Sequence, residues 1–140
     1  MCLLGRGLLF VGLALTTGLV VSCSSGSKLS PVRGKVFYGG QPAEGAMVVL
    51  HRKEGEPNTP TPTGTVLADG SFTLRTFSLG NGAPPGTYTV VITWYPPNAR
   101  ESEDPQNKLP ARYASVAESP LTVTIGEGPT ELQPFEIPLE

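Results

Sequence analysis

From residue 31 onward the chain alternates apolar and polar positions with a period of two, interrupted at short intervals by glycine and proline. That pattern predicts strands with one buried face. The first covers 31–38: Val32, Gly34, Val36 and Tyr38 share one face, Arg33, Lys35 and Phe37 the other. A second covers 46–53, with Ala46, Val48 and Leu50 opposite Met47, Val49 and His51. Residues 54–63 contain Pro57, Pro60 and Pro62; proline has no N–H to give a ladder, so a loop is expected there. Alternating runs at 65–68 and 71–76 flank Asp69 and Gly70, which predicts a hairpin closed by a two-residue turn, with Phe72 and Leu74 pointing inward. After a loop at 78–85, Tyr88, Val90, Ile92 and Trp94 alternate with Thr87, Thr89, Val91 and Thr93 in the strongest strand of the chain. Leu121, Val123 and Ile125 mark a further strand over 120–125, 126–129 is a turn, and Phe135, Ile137 and Leu139 define the inner face of a closing strand over 132–139. Six or seven short strands in this length predict an all-β fold, a single Greek-key β-sandwich over 31–140. Residues 95–112 break the pattern, with four prolines and no periodicity. Loops longer than ~12–15 residues in a compact domain are commonly functional.

The first 22 residues follow a different rule. Arg6 is their one charged side chain, and 8–21 is uncharged and mostly apolar. A secretory h-region runs ~7–15 residues, whereas a membrane-spanning helix needs ~20. A signal peptide over 1–22 is therefore expected, with a short anchor helix as the competing reading. Val20, Val21, Ser22 and Cys23 resemble the lipobox of bacterial lipoproteins. That resemblance implies cleavage between Ser22 and Cys23 and attachment of diacylglyceryl and palmitate-type acyl chains to Cys23. A chance cysteine beside an ordinary cleavage site is the plain alternative. Residues 23–30, rich in serine and glycine, then read as a flexible tether that keeps the domain close to the bilayer.

Composition narrows the chemistry. The two cysteines are Cys2, in the leader, and Cys23, so the domain is expected to stand without a disulfide. Ten basic side chains, Arg6 among them, face twelve acidic ones, which argues against a nucleic-acid partner. His51 is the one histidine, too few partners for a zinc site or a His-activated nucleophile; it reads as a surface strand residue. Glu101, Glu103 and Asp104, near Asn98, read as a solvated acidic loop rather than a calcium loop, with Arg100 among them. Trp94, Tyr95, Arg100 and Tyr113 are the candidate ligand-loop residues. Against that, Trp94 also suits a core cap and Tyr113 a packed loop anchor, and adjacent Trp94 and Tyr95 face opposite sides of a strand. No catalytic group, metal site or cofactor is called for.

Several segments together resemble carboxypeptidase regulatory-like (transthyretin-like) domains: VRGKV at 32–36, GQP at 40–42, ADGSF at 68–72 and PGTYTV at 85–90. LPARY at 109–113 and SPLTV at 119–123 resemble the end of small planctomycete-type lipoproteins with that domain. The resemblance implies a prealbumin-like sandwich without catalysis. Related adhesin domains carry a Lys–Asn isopeptide bond, which would start from Lys35, but 132–139 offers no Asn or Asp. The expected role is a lipid-anchored structural or interaction module, facing the periplasm or exterior from the cell or outer membrane. Its partners would be the membrane, through Cys23, and an envelope protein or glycan; a carbohydrate-binding module is the alternative.

Overall fold

The computed structural model describes residues 28–54, 59–77, 79–95, 101 and 106–140. Ser22, Cys23, Asn98, Arg100, Glu103 and Asp104 lie outside the described residues. The fold is an all-β sandwich of two sheets. In the first, β1 (Val32–Tyr38) is central. The closing segment, β10 (Thr130–Glu131) and β11 (Phe135–Ile137), runs parallel to it, while β2 (Gln41–Pro42) and β5 (Ser71–Thr73) pair with it antiparallel. The second sheet is antiparallel in the order β7 (Gly80–Asn81), β6 (Arg75–Thr76), β4 (Pro62–Thr65), β3 (Met47–Arg52), β8 (Gly86–Thr93), β9 (Thr122–Ile125).

The inner faces are the ones the alternation selects. Val32, Val36, Phe72, Phe135 and Ile137 from the first sheet meet Val48, Leu50, Val66, Tyr88, Val90, Ile92 and Ile125 from the second. Phe72 stacks on Phe135 at 6.3 Å between ring centroids. Two glycines make room for it. A Cβ on Gly34 would stand 2.5 Å from Phe72 Cζ, and one on Gly64 would stand 2.7 Å from the Thr73 carbonyl and 3.2 Å from the same ring. Glycine on the buried face of both strands is therefore a packing requirement, because carbon atoms in contact sit at about 3.5–4.0 Å.

Five expectations are corrected. Pro62, expected in a loop, is buried and opens β4, pairing with Thr76. It is tolerated as the first residue of the strand, since pairing with β3 begins only at Thr63 and Val49. Asp69 and Gly70 do not close a two-residue hairpin. Leu67 N–H donates to Ser71 O and Gly70 N–H to Leu67 O, giving a three-residue loop with Gly70 at φ 86°. The strands on either side then part: β4 pairs with β3, and β5 joins β1 in the other sheet. The run at 71–76 is also not one strand. The chain leaves the first sheet after Thr73 and re-enters the second at Arg75, so Leu74 turns a corner, its N–H bonded to Val32 O and its carbonyl to Gly82 N–H. Part of the loop expected at 78–85 forms β7. Leu139, expected inward, is exposed.

Candidate functional site

Strand direction sorts the molecule into two ends. β1 starts beside Leu74 and finishes at Tyr38, whose ring meets Trp94 edge-on at 6.1 Å. Seven residues of strand span about 20 Å between those points.

The end where the described chain enters is tied down through the backbone. Ser30, expected as the last residue of the tether, is buried. Its N–H and C=O exchange bonds with Ala83, and its hydroxyl donates to Gly126 O at 2.7 Å. Thr76 Oγ1 donates to Gly82 O, and Tyr88 Oη donates to Pro84 O at 2.6 Å. The Arg52 guanidinium lies 5.6 Å from the Tyr88 ring centroid and donates to Pro85 O at 2.6 Å. These bonds hold the turn before β8 in place, and they explain why an arginine closes β3.

The opposite end carries the candidate ligand loop. Trp94 is half-buried against the core. Its Nε1–H donates to Glu44 O at 2.8 Å, and Lys108 Nζ sits 4.6 Å from its ring centroid. One face of the indole is thus occupied by an ammonium and its N–H is spent. Tyr95, next along, points outward and is 44% exposed. Asn107 closes the base of the loop: its Oδ1 accepts from the backbone N–H of Trp94 at 2.9 Å and of Leu109 at 3.2 Å, while Lys108 N–H donates to Trp94 O. Glu101 is exposed.

Tyr113 does not join this loop base as an open platform. It is buried in a short 3₁₀ helix, Ala111–Ala114, packed against β8, and Arg112 lies over its ring at 4.9 Å. Arg112 also pairs with Glu140. That helix solves an edge problem. β9 pairs with β8 only over Gly86–Thr89, and the exposed half of β8 is covered by 108–121 instead: Val90 N–H bonds to Leu121 O and Ser119 Oγ to Val90 O. Val91, on the strand face opposite Val90, is consequently buried too.

The structure therefore brings Trp94 and Tyr95 to one end, buries Tyr113 beside it, and adds Asn107 and Lys108, which sequence reasoning missed. Asn107 sits thirteen residues from Trp94 in a stretch without periodicity, so no local signal marks the bond.

Among the described residues the surface also holds open grooves. One lies on the outer face of the first sheet, lined by Arg33, Lys35, Ser71, Thr73, Glu131 and Gln133. Asp69, at the turn beside it, has its carboxyl held below its ordinary value of 3.8, first by the Ser71 hydroxyl at 2.6 Å and then by the Ser71 N–H. That is the chemistry of a turn. Lys35 is exposed, on the face away from the core. His51 is half-buried on the outer side of β3. Among the described residues no group of three His, Cys, Asp or Glu can hold a metal, and no buried side-chain N or O lacks a hydrogen-bond partner.

No family model matches the chain, and no curated protein matches it. Among solved structures, a DUF3823 family protein from Parabacteroides merdae is similar over 80% of this chain and 47% of that one, with 20% identity and a TM-score of 0.41. The chain thus spans about half the length of that neighbour.

Proposed function

We propose that the chain is a lipid-anchored, non-enzymatic lipoprotein of the carboxypeptidase regulatory-like kind, acting at the cell envelope as an interaction module. One observation supports this above the rest: the chain enters the sandwich at Leu29 and Ser30, and the aromatic loop base at Trp94 and Tyr95 stands at the other end. An acylated Cys23 lies seven residues before Ser30, a reach of at most about 25 Å. A domain held that closely presents its far end, with Tyr95 and the loop clipped by Asn107, to whatever approaches. Two or three acyl chains make such attachment durable where one does not. The half-covered indole of Trp94 and the buried ring of Tyr113 favour a protein partner over a sugar stacked on an open aromatic face.

The test is one experiment in two strains, wild type and Cys23→Ala, each with a photo-crosslinking residue in place of Tyr95. The wild-type protein extracted from membranes should have the mass of residues 23–140 plus acyl chains and should give a discrete crosslinked product with an envelope component. Both should be lost in Cys23→Ala. A lipid-free mature chain would sink the anchor, and an acylated chain with no adduct would sink the presenting role.

A further inference from the structure

Near the entry point, the turn between β6 and β7 holds two exposed apolar side chains. Phe77 is 86% exposed and Leu79 is 49% exposed. Exposed apolar residues are ordinary when scattered over a surface. These two stand out by their place. Leu79 N–H bonds to Thr76 O, which folds the turn back tightly. A Cβ on Gly80 would stand 3.8 Å from Leu29 Cδ1, and Gly82 N–H and Ala83 N–H tie the following residues to Leu74 and Ser30. The tip is therefore fastened to the segment through which the chain enters. Leu29 follows Cys23 by six residues, a span of at most about 20 Å.

We infer that the tip carrying Phe77 and Leu79 inserts into the lipid surface beside the anchor and so fixes which way the domain faces. The inference rests on the anchoring of Cys23 proposed above. A single point of attachment alone would let the sandwich tumble over the membrane. A second, apolar point of attachment on the same end removes that freedom and holds the Trp94 end outward. Aromatic and aliphatic side chains exposed at a turn suit the boundary between headgroups and acyl chains. The charges at this end are compatible with that position: Lys28, Arg52 and Lys53 border the grooves beside the entry point together with Glu54 and Glu127, a balance that does not repel anionic headgroups.

Acylation turns the Cys23 sulfur into a thioether, so an introduced cysteine becomes the single free thiol of the mature chain. The acylated mature chain, carrying Phe77→Cys, Leu79→Cys or, at the far end, Leu67→Cys, is labelled with a small environment-sensitive dye. It is then held in vesicles of phosphatidylcholine and phosphatidylglycerol with a doxyl-labelled lipid as quencher. Quenching at positions 77 and 79 should exceed that at 67 several-fold, with a blue-shifted emission at 77. Equal quenching at all three positions in a chain whose mass shows the acyl groups would overturn the inference while leaving the anchor standing. Shielding at 77 that follows protein density rather than quencher would mean that a second copy covers the tip, and would overturn it too. A chain whose mass shows no acyl groups would remove the anchor, and the inference with it.

Discussion

The two ends of the sandwich hold their chains by different means. At the entry end the bonds run mostly to backbone carbonyls: Ser30 to Ala83 and Gly126, Thr76 to Gly82, Tyr88 to Pro84, Arg52 to Pro85. The described turns there, at 82–85 and 126–129, are held by these bonds. At the far end one amide side chain, Asn107, clips the two ends of a long excursion together, and an aromatic pair with a cation over it closes the core beneath. A backbone-bonded turn tolerates little change in its course. At the far end Asn107 holds the base of the loop, joining Trp94 to Leu109. In the role proposed above, the first end would be the seated platform and the second the part that is presented.

Both ends depend on the layer between them, and that dependence gives the largest expected effect. Phe72→Ala should destabilise the whole domain by about 3–5 kcal/mol, since a ring packed against Gly34, Gly64 and Phe135 leaves a cavity that two sheets cannot close. Urea unfolding followed by Trp94 fluorescence and by far-UV circular dichroism should shift together. If only one probe moved, the two ends would not share one core.

A smaller pair of changes separates the ends. Tyr88→Phe removes the donor to Pro84 O and should cost about 1 kcal/mol of global stability at the entry end. Asn107→Ala removes two accepted bonds but should act locally. Amide exchange at Trp94 and Leu109 should quicken while that at Ser30 and Ala83 stays unchanged. Global loss of protection in Asn107→Ala would show that the clip belongs to the core, and the contrast between the ends would fail.

The smallest effect concerns Asp69, beside the far-end turn. Its carboxyl is exposed and its pKa is lowered, chiefly by the Ser71 hydroxyl. The stability it contributes is therefore fully present above the unfolded value and is lost as pH falls through the folded one, below 3.8. Asp69→Ala should be slightly less stable than wild type at neutral pH, and the gap should narrow as the solution is acidified past that point. A gap that does not change with pH would assign the effect to turn geometry rather than to charge.

Much of this was open to sequence reasoning. Strand positions and inner faces follow from alternation at period two, a local property that each segment carries by itself; Val48 and Leu50, or Val90 and Ile92, needed no partner to be recognised. The composition likewise pointed to β-structure, because seventeen glycines and fifteen prolines leave few stretches able to sustain a helix. Which strands pair, however, is a relation between segments. Gly34 and Gly64 acquire meaning only when Phe72 arrives between them, and Pro62 becomes acceptable only because it opens its strand before the pairing with β3 begins. Asp69 and Gly70 announce a turn, but whether the next strand stays or crosses depends on β1 having an unpaired edge to receive it. The same limit applies to the site: Trp94 and Tyr95 could be named from one strand, whereas Asn107, Lys108 and the nearness of Leu79's turn to Leu29 exist only in the folded chain. Local sequence sets what each segment prefers, and tertiary packing decides which distant segments satisfy one another, because hydrogen bonds and buried contacts form between atoms close in space whatever their distance along the chain.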